Sequence, residues 1–260
     1  MTERRLLAGR RALVTGGGSG IGRGISTELA RRGGAVAITD IPPLEDARSL
    51  CRDLVADGAR ATALPLDVTD EAQVIAGFAT AQEALDGTVD LLVNNAGIEM
   101  PHRLVDMPLE DWRRVLDVNL TGAFLCAREA ARAMIAAGSP GTIVNVSSVH
   151  EHIPWRRFSH YCASKGGMKL FAQSIAYELA EHGIRVVNVA PGAIETPINA
   201  AVLAEPAQRE AVENQIPLGR WGNVDDVARA VAWLASSDAE YVTGTTLFVD
   251  GGMTLYPNFV

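Results

Sequence analysis

Tyr161 and Lys165 stand four residues apart at the start of a helical pattern, so both project from one face. Ser148 precedes the tyrosine by 13 residues, just past a β-rich run. A phenol, an ammonium and a hydroxyl so placed suit the oxidation of an alcohol. That reaction needs a base for the hydroxyl proton while a hydride leaves for a nicotinamide. A free tyrosine has a pKa near 10, and bringing it to about 7 takes roughly 4 kcal/mol. One cation at about 4 Å supplies roughly 4 kcal/mol at an effective dielectric of 20, but only about 1 kcal/mol in bulk water. Lys165, aided by a positive nicotinamide, therefore suffices only in a partly water-excluded site. Ser148 would hydrogen-bond the substrate oxygen and stabilise developing charge. Asn119 sits in the apolar helical pattern of Trp112, Val115, Leu116 and Leu120. It is either a satisfied core amide or the holder of a water that relays protons to Lys165.

A hydride acceptor must be held beside these groups. Thr15-Gly16-Gly17-Gly18-Ser19-Gly20-Ile21-Gly22 follows an apolar run and opens a helical pattern. Glycines there permit a tight turn, close approach to a pyrophosphate and close helix–strand packing. The helix N-terminus adds free N–H groups and a positive dipole end. Asp40 ends the next run, where a carboxylate accepts hydrogen bonds from the adenosine ribose. It repels a 2′-phosphate, and Ile41-Pro42-Pro43 offers no cation to neutralise one. The expected cofactor is NAD. Asp67-Val68 and Asn94-Asn95-Ala96-Gly97 close two further runs. Asp70 and Gln73 suit a capping box for the helix that follows, with Asp67 in a related structural role. The second of these turns lies where ligands bind in open sheets.

The elements that position these groups alternate along the chain. Residues 12–14, 35–39, 62–66, 91–94, 142–146, 185–190 and 245–249 read as strands, nearly continuous in Ala, Val, Ile and Leu. Residues 21–32, 44–57, 71–85, 109–137, 161–182 and 224–236 read as helices. Alternation throughout implies an α/β fold: a single-domain, Rossmann-type, doubly wound parallel sheet of seven strands over residues 1–260. Residues 197–217 form a small helical insertion expected to shape a substrate pocket.

Composition narrows the function classes. The 260 residues are 48% hydrophobic and carry a formal charge of −8, without a basic stripe, so neither nucleic acid nor an anionic membrane is an expected partner. Three scattered cysteines suggest reduced thiols and a cytoplasmic protein. No run of about 18 uncharged apolar residues signals a membrane span. His150-Glu151-His152 lacks further ligands, so no metal is expected.

Together the TGGGSGIG turn, Asp67-Val68, NNAG at residues 94–97, Asn119, Ser148, YCASK at residues 161–165 and Pro191-Gly192 through Thr196 resemble the short-chain dehydrogenase/reductase family. The resemblance covers nearly the whole chain in order. It implies a catalytic set of Asn119, Ser148, Tyr161 and Lys165, the lysine also holding the nicotinamide ribose. It implies cofactor contacts from Gly16, Ser19, Gly20, Ile21, Gly22, Asp40, Ile41, Asp67, Val68, Asn94, Ala96 and Gly97. Pro191, Gly192, Ile194 and Thr196 would touch the nicotinamide half. It further implies a homotetramer paired through the helices of residues 109–137 and 161–182. Residues 145–167, 191–200 and 241–260 are similar to bacterial glucose 1-dehydrogenases, a subgroup whose C-terminal tail packs near a neighbouring subunit.

Glu99, His102, His150, Trp155 and Glu195 flank the expected pocket and offer polar partners and an aromatic surface for a polyol. The leading expectation is an NAD-dependent sugar or polyol dehydrogenase with glucose first. The alternatives are a dehydrogenase or reductase for another alcohol or ketone, such as a 3-oxoacyl thioester or a steroid, and a non-catalytic NAD-binding regulatory module.

Overall fold

Seven strands lie side by side in the order β3-β2-β1-β4-β5-β6-β7 in this computed structural model, which describes residues 6–255. They are β1 (Arg11–Thr15), β2 (Ala35–Asp40), β3 (Ala61–Pro65), β4 (Leu91–Asn94), β5 (Gly141–Val146), β6 (Ile184–Pro191) and β7 (Thr246–Val249). Every pairing is parallel. Each crossover must therefore climb back over one face of the sheet, and the helices do so on both faces. Helices α1 (Gly20–Arg31), α2 (Glu45–Ala56) and α9 (Val224–Ala235) cover one side. Helices α3 (Glu71–Ala84), α5 (Gly122–Ala136) and α6 (Ser159–Leu179) cover the other. The central strands β4 and β5 are buried throughout, which is why they read as nearly continuous apolar runs.

The strand order reverses between β1 and β4. In open sheets of this kind ligands bind at that point, outside the carboxyl ends of the strands. The seven strands and the parallel topology match the sequence expectation.

One long helix expected over residues 109–137 is instead α4 (Leu109–Leu116), a π-helical turn over Asp117–Thr121 and α5. The extra residue in that turn turns the Asn119 amide inward to the Ile98 backbone. The capping expectation also holds only in part. Asp70 does cap α3 through the Ala72 and Gln73 N–H groups. Gln73, however, uses its carbonyl oxygen to accept from the Asp67 N–H at 3.2 Å, tying the preceding loop to the helix. The insertion after β6 contributes α7 (Ala200–Leu203) and α8 (Pro206–Glu213).

Candidate active site

A cavity of about 1040 Å³ runs along the carboxyl ends of the strands. It gathers Gly16, Ser19, Gly20, Ile21, Gly22, Asp40, Ile41, Asp67, Val68, Ala96, Gly97 and Thr196. Gly16 and Gly20 have φ of 59° and 49°, in the left-handed region that favours glycine. A Cβ on Gly22 would collide with the Gly16 carbonyl and lie 2.5 Å from Asn95 Nδ2. Asn95 itself donates to the Thr15 and Gly16 carbonyls, both at 2.9 Å, and so fastens the turn to the end of β4. No side chain caps the first turn of α1 and no acid stands in it, so its N–H groups are available to an anion. Asp40 accepts from the N–H groups of Gly18 at 3.3 Å and Ile41 at 2.9 Å, which fixes its carboxylate at the rim. Glycine turn, uncapped helix end and fixed carboxylate fit a dinucleotide.

A second cavity of about 400 Å³ adjoins the first, sharing Ile21, Asn95, Gly97, Ile98, Thr196 and Ile198 with it. Ser148, Tyr161, Lys165, Glu99, His150 and Trp155 all line it, as do Pro191, Gly192 and Ile194. The structure thus brings the sequence-expected Ser148, Tyr161 and Lys165 to one cavity from two separate elements, the turn after β5 and α6. Ser148 begins a short turn after β5 and its hydroxyl accepts from the His150 N–H at 3.2 Å. Lys165, only 4% exposed, donates to the Val146 carbonyl at 2.8 Å and lies 5.6 Å from the Tyr161 ring centroid. Trp155 is sandwiched between His150 and Phe158 at centroid distances of 4.6 and 3.7 Å, and Tyr161 meets Trp155 edge-on.

Burial dominates the titration of this site. It pushes the Tyr161 phenol well above its ordinary value, the Ser148 hydroxyl pulls it down, and Glu99 and Cys162 push it further up. Desolvation sets the direction, opposite to the lowering expected from a neighbouring cation. Burial lowers the Lys165 ammonium to about 8, against the opposing attraction of Glu151 and Glu99. Glu99 is raised, chiefly by burial, with Lys165 drawing it down. His150 is lowered by burial, while its contact with the Ile153 carbonyl opposes this.

Asn119 is fully buried on the π-helical turn. Its Oδ1 accepts from the Ile98 N–H at 2.8 Å, and its Nδ2 donates to the Ile98 carbonyl at 2.9 Å and to Ser164 Oγ at 3.1 Å. The side chain is satisfied and lines neither cavity, so it fixes the loop that carries Gly97, Ile98 and Glu99.

Three residues expected at the site lie elsewhere. Asn94 is not at the cofactor cavity. Its amide donates to Asn145 Oδ1 at 2.9 Å, and Asn145 donates to Asn188 Oδ1 at 3.0 Å, a ladder across β4, β5 and β6 inside the sheet. Asn95, one residue on, takes the place at the turn. Glu195 is not in the reacting cavity: Arg209 on α8 engages its carboxylate at 2.9 Å. His102 pairs with Asp111 at 3.0 Å, also outside that cavity.

Sequence reasoning missed most of the far wall. Ile98, Ile153, Ile198, Val202, Val212, Trp221 and Met253 line it, with Asn199 and Gln215. Five of these lie in the insertion after β6, the place from which pocket-shaping residues were expected. Their apolar character was in plain view, but nothing in the spacing said which of them face inward.

The fold and the two adjoining cavities define an oxidoreductase of the dinucleotide-binding α/β class. Residues 16–254 match the family model described as enoyl-(acyl carrier protein) reductase. The chain belongs to the short-chain dehydrogenase/reductase family. It is 46% identical over 253 residues to 3beta-hydroxysteroid dehydrogenase 1 of Eggerthella lenta, covering 97% of each chain. It is 40% identical to glucose 1-dehydrogenase 2 of Bacillus subtilis, again over 97% of each. A crystal structure of a gluconate 5-dehydrogenase from Burkholderia cenocepacia, in complex with NADP and tartrate, superposes with a TM-score of 0.92 at 38% identity, covering 98% of this chain and 99% of that one.

Proposed function

We propose that this chain is an NAD-dependent dehydrogenase of a secondary alcohol carried on a largely apolar ring system, the hydroxysteroid class. The wall of the reacting cavity carries this reading. Beyond Ser148 and Tyr161 it is mostly Ile153, Trp155, Ile198, Val202, Val212, Trp221 and Met253. Apolar surface buried against it contributes about 25 cal/mol per Å². A free sugar hydroxyl left unpaired there would cost about 1–3 kcal/mol. The identity to the Eggerthella lenta hydroxysteroid enzyme supports the same class. Glucose is the second reading, favoured by the polar set Glu99, His150, Asn199 and Gln215 on the same cavity.

The choice of NAD rests on Asp40. Its carboxylate lines the cofactor cavity and is fixed by two N–H groups, so it would accept from the ribose hydroxyls of NAD and repel a 2′-phosphate. The bound cofactor supplies the hydride acceptor and, when oxidised, a positive ring. Ser148 Oγ orients the substrate hydroxyl, and Tyr161 Oη takes its proton. Lys165 Nζ, oriented by the Val146 carbonyl, contributes the nearby positive charge that favours the phenolate. Burial opposes ionisation of the phenol while it strengthens the pull of any nearby positive charge, and the oxidised cofactor, when bound, would add such a charge to that of Lys165. Asn119 holds the Ile98 loop, and a proton path from Lys165 past it is part of the proposal.

Subunits pair into a homotetramer in this reading. Phe124 on α5 and Leu170 and Tyr177 on α6 stand exposed on the face expected to pair, Tyr177 at 90%. Residues 256–260, expected near a neighbour, lie outside the described residues. Among the described residues no helix is long and apolar enough to cross a membrane, and a cytoplasmic location is proposed with the three free thiols.

An absorbance screen for NADH formation across hydroxysteroids, alicyclic alcohols and aldoses tests the reading. Turnover with hydroxysteroids at kcat/KM at least tenfold above any aldose supports it. Turnover confined to aldoses overturns it in favour of the second reading.

A further inference from the structure

A buried carboxylate stands beside the reacting groups with part of its bonding capacity unused. Glu151 ends the 3-10 turn Val149–Glu151, and its N–H donates to the Ser148 carbonyl at 3.0 Å. Its side chain has no exposed surface. Oε1 accepts from Thr246 Oγ1 on β7 at 2.8 Å, and Lys169 Nζ lies 3.9 Å away. Among the described residues Oε2 is buried without a hydrogen-bond partner. One hydrogen bond and one loosely placed ammonium are thin compensation for a carboxylate taken out of water.

Helix α6 supplies the second cation. Tyr161, Lys165 and Lys169 recur every four residues and so share one face. A carboxylate that reaches Lys169 from beside that face stands about one turn from Lys165. The charges acting on Lys165 agree: Glu151 is the strongest that favours its ammonium, ahead of Glu99. The two acids differ in place. Glu99 lines the substrate cavity and Glu151 does not.

We propose that Glu151 is a positioning residue of the catalytic centre, whose buried carboxylate keeps Lys165 an ammonium from outside the substrate cavity. The inference rests on the role given above to Lys165. It explains how an amine held only by a backbone carbonyl stays charged in a site that strips its water. The groups facing Lys165 are Glu99 from the loop after β4, Glu151 from the turn after β5, and Tyr161 on its own helix. Those facing Glu151 are Lys165 and Lys169 of α6 and the neutral Thr246 of β7.

The test is the pH profile of kcat for the holoenzyme, with saturating NAD and an alcohol that the screen identifies. Loss of the Lys165 proton sets the alkaline limb. Glu151→Gln keeps shape and removes charge, and should move that limb down by about one pH unit. Glu151→Leu should do the same, and Glu151→Asp should return the limb towards its original place. KM for the alcohol should stay within twofold in all three, because the residue does not line the cavity. An unmoved limb in Glu151→Gln, or equal shifts in Glu151→Asp and Glu151→Gln, would overturn the proposal. Tyr161→Phe separates the two readings: if it is silent in turnover while the limb fails to move, only this inference falls; if it retains turnover, the site assignment falls with it.

Discussion

Replacing Lys165 by Met should remove the activity and, with it, a pH-dependent part of the stability. The amine is 4% exposed and its pKa falls from an ordinary 10.5 to about 8, with desolvation the largest cause. That drop corresponds to about 3 kcal/mol that the folded chain forgoes by burying the cation. The sign follows from proton counting. Below pH 8 both states hold the proton, and above 10.5 neither does. Between them the unfolded chain binds more protons, so stability rises with pH. Lys165→Met lacks this gain. Urea unfolding at fixed protein concentration, followed from pH 7.5 to 10, should show the wild-type chain gaining about 2 kcal/mol relative to the variant. The variant's advantage at pH 7 should be smaller, because it leaves the Val146 carbonyl without its donor, at about 1–3 kcal/mol. Curves that run parallel across this window would refute the reading that a buried ammonium, only partly compensated by Glu151 and Glu99, sits there.

Other substitutions probe the neighbouring parts. Asp40→Ala removes a charged acceptor that two N–H groups hold in place, and should raise KM for NAD about 10- to 150-fold while narrowing the preference over NADP, measured as the ratio of kcat/KM with each cofactor. Gly22→Ala puts a methyl against the Gly16 carbonyl and Asn95, so the turn must shift; NAD binding by fluorescence titration should be lost and the melting temperature should fall, corresponding to about 1–3 kcal/mol. Asn119→Leu strands the Ile98 N–H and carbonyl, and should destabilise the chain by about 2–4 kcal/mol in urea, with kcat falling alongside.

The sheet was legible because strands covered on both faces are written as nearly continuous apolar runs, and because helical patterns intervene at every crossover. That Ser148, Tyr161 and Lys165 would share one cavity was legible because Tyr161 and Lys165 lie on one helix and Ser148 follows a strand end. What escaped depends on registers between strands or on partners distant in sequence. Asn94 and Asn95 look alike in a row. Only the pairing of Asn94 with Asn145, and of Asn145 with Asn188, turns the first into the sheet and leaves the second for the turn. Glu195 was read as a substrate group because Arg209 lies 14 residues away on a helix whose docking no local pattern reveals. The π-helical turn at Asn119 answers to the Ile98 backbone, 21 residues earlier. The direction of the Tyr161 shift was hidden for a related reason: spacing shows a neighbouring cation but not how much water the fold removes.

The account turns on one proton acceptor, Tyr161 Oη, working beside Lys165 and Ser148. The most direct measurement is kcat of Tyr161→Phe, with NAD binding followed separately by fluorescence. Removing the general base should lower kcat at least about 10²- to 10⁴-fold while the dissociation constant for NAD stays within a few-fold. Turnover within tenfold of the unaltered chain would contradict the account.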